Sequence, residues 1–217
     1  CHIKSRTKTT AMEVESFCTL QGSMKQKGNV TPVEEEKAAY VKYSFALAPK
    51  EVLDLEKVVY NVTPMSNTGE KKANPEECLQ DMCFEKLLKE NSSWWQQTWE
   101  KSDIEITGDE ENQQGIRFCI FQMFQTYHGA VRGTNIGAKG LTGEAYNGNA
   151  FWDTETYCLP FFLFHDREAA KNLLYFRYAT LEEAKKRAKD LDCEGAFYPI
   201  ATISGRECCN LWQHASL

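Results

Sequence analysis

The feature that most limits how this chain can fold is an abrupt change of period near residue 74. Before it, the apolar residues sit in β-branched runs. Ala39-Tyr40-Val41-Lys42-Tyr43-Ser44-Phe45-Ala46-Leu47 alternates imperfectly and is closed by Pro49. Val52 to Val62 forms a second run, closed by Pro64. Such runs bounded by turn residues predict strands, and the turn-rich stretch MSNTGEKKANP, residues 65–75, predicts a linker. After it the period becomes helical: Leu79, Met82, Cys83, Leu87 and Leu88, then Trp94, Trp95 and Trp99. Asn74 before Pro75-Glu76-Glu77 suits a helix start, because proline tolerates the first turn and acids favour its dipole. The spacing predicts a helix from Glu76 to about Lys101. The three tryptophans are expected to pack against a neighbouring domain rather than to form a sugar platform.

Further helices are expected over 110–127, where Ile116, Cys119, Ile120, Met123 and Phe124 share a face, and over 153–164. Asp166 is placed to cap the next. Thr180-Leu181-Glu182-Glu183 reads as a capping box opening a helix to about Leu191. A β segment followed by helices on short connections implies a β domain and then an α-helical array.

Several classes are excluded. A net charge of −6 is unsuited to a nucleic-acid or anionic-membrane surface as the main partner. A small neutral or weakly anionic ligand fits better. The longest apolar run, Leu159 to Phe164, is far short of a membrane span. Nine cysteines occur with no C-x-x-C pair, which predicts reduced thiols in a cytosolic protein. Cys208-Cys209 near His214 lacks further evident metal ligands, so no metal site is expected.

Six of the thirteen glycines fall between Gly129 and Gly148, directly before Phe151-Trp152-Asp153-Thr154-Glu155. Glycine at this density lets backbone pass close to a ligand or to another segment. Neither G-x-G-x-x-G nor a Walker pattern is present, which argues against a nucleotide fold. The loop carries Arg132, Asn135, Lys139, Thr142, Glu144, Tyr146 and Asn147. Hydrogen-bonding groups beside an aromatic face are what a sugar pocket requires. Trp152 can stack on a sugar ring and Asp153 can accept from its hydroxyls. Equally, Asp153 can cap the following helix while Trp152 belongs to the core, and spacing alone leaves both readings open.

At these residues the sequence resembles the maltose and kojibiose phosphorylases, glycoside hydrolase family 65. The matching stretches are Gln113-Gln114-Gly115-Ile116-Arg117-Phe118, Phe124-Gln125-Thr126, RGTNIGAKGLTGEAYNGNAFWDTETYCLPFF, AAKNLLYFRYATLEEAKKRAKDL and GAFYPIATISGREC. The resemblance implies the end of a β-sandwich over 1–73, a helical linker over 74–108, and the first part of an (α/α)6 barrel over 109–217. It implies inverting phosphorolysis of an α-linked glucosyl disaccharide to β-glucose 1-phosphate, with inorganic phosphate as co-substrate and no cofactor. Trp152 and Asp153 match the pair that holds the glucosyl unit. Arg132, Lys139 and Glu144 lie on the same loop as weaker candidates. Inversion by phosphate needs one acid and no protein base. In the family that acid is a glutamate downstream of the segment represented here, so no catalytic residue is assigned, and Glu155 is expected to be structural. The chain is therefore expected to be part of a longer cytoplasmic enzyme, inactive by itself, and a possible homodimer at full length. A hydrolase of the same family and a non-catalytic carbohydrate-binding segment are the alternatives.

Overall fold

A computed structural model describes residues 1–8, 11–22, 28–36, 38–64, 74–143 and 145–208. The chain divides into two compact units, Cys1–Gln96 and Gln97–Leu217.

In the first unit, β1 (His2–Arg6), β2 (Glu13–Gly22) and β5 (Leu55–Val62) form an antiparallel sheet in the order β1-β2-β5. Strands β3 (Gly28–Glu35) and β4 (Ala38–Phe45) form a separate hairpin. Pro32 in β3 is compatible with this pairing because a two-stranded sheet has only edges. Alternation governs exposure in β4 and β5: odd positions of β5 face solvent, while Val58 is buried. The two strands expected from sequence are both present, each shorter than expected. Residues 65–73, most of the expected linker, lie outside the described set.

The expected helix over 76–101 is two helices, α1 (Pro75–Asp81) and α2 (Phe84–Ser102). Asn74 caps α1, its side chain accepting from the Glu76 amide at 3.1 Å. The break at Met82-Cys83 has a tertiary cause. Gln21 of β2 donates to the carbonyls of Leu79 (3.1 Å) and Met82 (3.4 Å), and the Phe84 amide donates to the Glu56 carboxylate of β5. Sheet side chains thus satisfy backbone groups that a continuous helix would pair internally. Along α2, Trp94 and Trp95 meet edge to face at 4.9 Å.

The second unit contains α3 (Glu110–Thr126), α4 (Leu159–His165), α5 (Arg167–Ala179) and α6 (Leu181–Asp190), with strands β6 (Ala150–Phe151) and β7 (Ala201–Thr202). Asp109 caps α3 through the Asn112 amide at 3.0 Å, and hydrogen bonds from that residue hold its carboxyl below the usual range. Asp103 and Arg117 form a two-pronged pair across the 103–109 connection. The guanidinium lowers the Asp103 pKa. The core is aromatic between α3 and α4: Phe124 packs on Phe161 at 5.2 Å, and Tyr127 on Phe162 at 5.4 Å. It is built of small residues on α5 and α6, where Ala169, Ala170, Ala184 and Ala188 are almost completely buried.

Two sequence expectations are corrected. The helix expected from Asp153 opens with a π-turn, Thr154–Cys158, and is regular only over α4. Pro160 explains this: it has no amide to give the Thr156 carbonyl and its ring clashes there, so the ladder widens and the Leu159 amide reaches Thr154. Thr180 does not form a capping box. Its hydroxyl donates back to the Phe176 carbonyl at 2.9 Å, closing α5, and Glu183 pairs with Arg206. Asp166 caps α5 as expected, accepting from Ala169 at 3.0 Å.

Gly129 carries a constraint that can be tested. Its φ is +70°, and a Cβ there would lie 2.5 Å from Ala169 Cα, so the start of the glycine loop rests directly on α5. Asn172 reinforces the contact by donating to the Gly129 carbonyl at 2.7 Å. Gly129→Ala combines backbone strain with a backbone clash and is expected to cost about 2–3 kcal/mol, measured by urea unfolding. Tyr127 yields a second prediction. Its hydroxyl is buried without a partner among the described residues, and burial, with Asp166 nearby, pushes its pKa up to about 12. The folded state therefore holds the phenolic proton more tightly than the unfolded chain. Stability present below pH 10 is lost as pH rises from about 10 to 12. Tyr127→Phe is expected to flatten that loss at a cost under about 1 kcal/mol at neutral pH, checked by unfolding across the alkaline range.

Candidate functional site

The candidate site is the junction between β6 and the π-turn. Phe151 ends β6, Thr154 starts the π-turn and is buried, and Trp152 and Asp153 stand exposed between them. Trp152 is 55% exposed within this chain. Asp153 has helical backbone angles and makes no capping hydrogen bond. Its carboxylate has no hydrogen-bond or ion-pair partner among the described residues. The capping reading of Asp153 is thereby removed. An exposed indole beside a carboxylate free to accept hydrogen bonds is what the backbone presents.

The backbone beneath them is firmly held. Glu155 forms a two-pronged ion pair with Arg177 of α5, at 2.9 and 3.0 Å, with the side chains only 22% and 11% exposed. Asn135 of the glycine loop also reaches Glu155, at 3.4 Å. Both carboxylate oxygens are thus committed to the guanidinium, which fits a structural role for Glu155. Cys158, one turn on, has its thiol pKa raised by burial and by Glu155 and Asp153, which argues against a nucleophilic role.

The glycine loop folds back on itself before β6. The Ala138 amide donates to the Asn149 carbonyl at 3.0 Å, Gly140 to Gly137 at 2.9 Å, and Ile136 is buried as its apolar anchor. Tyr146 and Asn147 both adopt left-handed angles, with φ of 65° and 52°, a strained turn at the loop tip. Gly143 has no room for a side chain, because a Cβ would collide with Lys139.

The other sequence candidates occupy different surroundings. Lys139 lies 5.7 Å from the Tyr146 ring, and Tyr146 meets Phe151 edge to face at 5.3 Å, which links Lys139 to the residue before Trp152. Arg132 stacks its guanidinium 3.7 Å over Tyr175 of α5. Glu144 lies outside the described residues, as do Cys209 and His214. Among the described residues no group of three or more His, Cys, Asp or Glu side chains is arranged to hold a metal ion. No described helix is long and apolar enough to cross a membrane.

Residues that sequence reasoning missed lie mainly in the support. Arg177 is one; its signal was present as a charge at an inward helical position, four residues after Leu173 and seven after Ala170. The 200–207 segment is the other. Strand β7 pairs with β6, Ala150 opposite Thr202 and Phe151 opposite Ala201, fifty residues away in sequence.

The class of protein follows from comparison with known families. Residues 117–216 match the glycosyl hydrolase family 65 central catalytic domain, and residues 1–98 match the N-terminal domain of the same family. The chain belongs to glycosyl hydrolase family 65. Among its relatives is maltose phosphorylase of Bacillus subtilis, 50% identical over 131 residues, 60% of this chain and 17% of that protein. Alpha,alpha-trehalose phosphorylase of Geobacillus stearothermophilus is 34% identical over 209 residues, 95% of this chain and 27% of that protein. A solved structure, a putative kojibiose phosphorylase from human microbiome, superposes with a TM-score of 0.79 at 40% identity. It covers 98% of this chain, which in turn spans 28% of that structure. The chain thus spans roughly a sixth to a quarter of the length of these relatives.

The ion pair under the site gives a further prediction. Glu155→Gln leaves the Arg177 guanidinium buried without its counter-charge, in a side chain whose Nη1 already lacks a partner among the described residues. The expected loss is about 2–3 kcal/mol, toward the low end for a broken buried pair because Glu155 is partly exposed. Arg177→Met with Glu155→Gln should recover much of it, read from urea midpoints.

Proposed function

We propose that this chain is the part of an inverting disaccharide phosphorylase that holds one side of the glucosyl-binding site. The observation that carries the reading is the pairing of Trp152, exposed within this chain, with an Asp153 that has no partner among the described residues, within the stretch that matches the family's catalytic domain. The names of several relatives, phosphorylases of maltose, trehalose, nigerose and kojibiose, support the reaction class.

In this reading the Trp152 indole packs on the apolar face of the glucosyl ring and Asp153 accepts hydrogen bonds from its hydroxyls. Arg132 and Lys139 contribute polar contacts at the rim, and Glu144 is retained as a rim candidate from sequence alone. Phosphate attacks the anomeric carbon from the face opposite the leaving sugar. The leaving oxygen receives its proton from a glutamate supplied by another part of the enzyme, since Glu155 is committed to Arg177. The products are β-glucose 1-phosphate and the acceptor sugar, with no cofactor.

The architectural reading is a β-sandwich end over 1–73, a helical linker over 74–108 and the first part of an (α/α)6 barrel over 109–217. The full enzyme is proposed to be cytoplasmic and homodimeric, and the 217 residues alone to be inactive.

The test follows β-glucose 1-phosphate formation from maltose, kojibiose, nigerose and trehalose, with and without phosphate, in this chain and in the longest form of the protein obtainable. Phosphate-dependent product from the long form is expected, falling at least a hundredfold in Asp153→Asn and Trp152→Ala, consistent with losing contacts made in the transition state. Glucose released without phosphate would instead make the enzyme a hydrolase. No turnover by the long form would overturn the proposal.

A further inference from the structure

Trp152 and Asp153 are held on their C-terminal side by Glu155 and Arg177. Their N-terminal side is held by β6, a strand of only two residues whose partner β7 is equally short. A pairing this brief does not sustain itself in water, so something must fix β7.

The structure provides a clamp. Glu207, whose side chain is 6% exposed, accepts from two consecutive backbone amides, Ile200 at 2.9 Å (Oε2) and Ala201 at 3.2 Å (Oε1). The Cys208 amide then donates to the Ala201 carbonyl at 2.9 Å, closing the 201–208 loop on itself. Arg187 of α6, 11% exposed, brings Nη2 to 3.0 Å from Glu207 Oε2 as a charge contact without hydrogen-bond alignment. Its Nη1 donates to the Tyr198 carbonyl at 3.0 Å, and its guanidinium lies 4.3 Å from the centre of the Phe197 ring. One buried guanidinium therefore ties α6 to three points of the segment that carries β7.

The geometry points to Glu207 and Arg187 as positioning residues for Trp152 and Asp153. They act through β7 and β6 and touch no substrate. Burying a carboxylate and a guanidinium is costly unless both are well paired. Here the arrangement converts that expense into a fixed placement for Ala201 and Thr202, and hence for the backbone that presents the exposed pair. The inference rests on the sugar-binding reading only for its functional meaning; the mechanical coupling stands separately.

Three measurements on the longest form of the protein obtainable test it. The first follows the Trp152 indole N–H in 15N-tryptophan-labelled protein, assigned by Trp152→Phe. Glu207→Gln alone leaves Arg187 unpaired and can unfold the chain, so the informative variant is Arg187→Met with Glu207→Gln, which removes both charges together. This double variant is expected to keep wild-type helical circular dichroism and a cooperative melt. Its Trp152 resonance should broaden or shift toward the random-coil position. An unchanged Trp152 resonance in a folded double variant would overturn the proposal.

The second measurement needs no variant. Amide exchange in the wild-type chain should be as slow at Ile200 and Ala201 as at Leu173 in the core, and exchange as fast as at exposed Ser204 would equally overturn it. The third is a glucose and maltose titration. Affinity read at Trp152 should weaken at least tenfold in the folded double variant, whereas unchanged affinity would count against the clamp. If the long form binds neither sugar while the indole still depends on the clamp, the glucosyl reading fails and the positioning role remains.

Discussion

The short pairing of Ala150-Phe151 with Ala201-Thr202 is the contact on which the candidate site depends. It joins two stretches that the chain supplies fifty residues apart, and it determines where the backbone leaves the glycine loop and enters the π-turn. Two residues per strand provide too few hydrogen bonds to define a sheet alone. The pairing persists because both strands are buried at their centres, Ala150 and Ala201 nearly inaccessible and Thr202 wholly so, and because Glu207 occupies the amides that precede and begin β7.

Around that pairing the second unit sorts its charges by depth. The buried ones are matched: Glu155 with Arg177 and Glu207 with Arg187. The exposed candidates, Asp153 at the junction and Arg132 and Lys139 on the glycine loop, are engaged only with aromatic rings or not at all among the described residues. Such a division keeps the framework stiff while leaving polar groups available, which is the requirement for a preorganised binding surface. The glycine loop serves the same division. Where it presses on α5 at Gly129 it needs a residue without a side chain, and at its tip it accepts two left-handed residues, Tyr146 and Asn147.

Much of the secondary structure was legible from local chemistry. Asn74-Pro75 and Asp166 cap helices as their sequences suggest, and the β-branched runs become β4 and β5. Three features were not legible, each for a tertiary reason. The α1–α2 break comes from Gln21 and Glu56, more than twenty residues away, competing for backbone groups. The Thr180 hydroxyl had two helices within reach and bonded to the one behind it. The π-turn was readable in principle from Pro160, but a proline near a helix start is ordinarily harmless, and only the continuation of the ladder back to Thr154 makes its missing amide matter.

The sequence by itself determined the order of β and α segments, the glycine-dense approach to Trp152-Asp153 and the resemblance to family 65, because periodicity, capping and loop composition act over a few residues. It left open whether Trp152 was core or surface and whether Asp153 was a cap. Within this chain the tertiary structure leaves Trp152 exposed and Asp153 without a capping bond. Exposure depends on which distant segments arrive: β7 beside β6, and α5 bringing Arg177 under Glu155. A side chain's availability is set by the partners its neighbours have already found, and those partners lie in other parts of the chain.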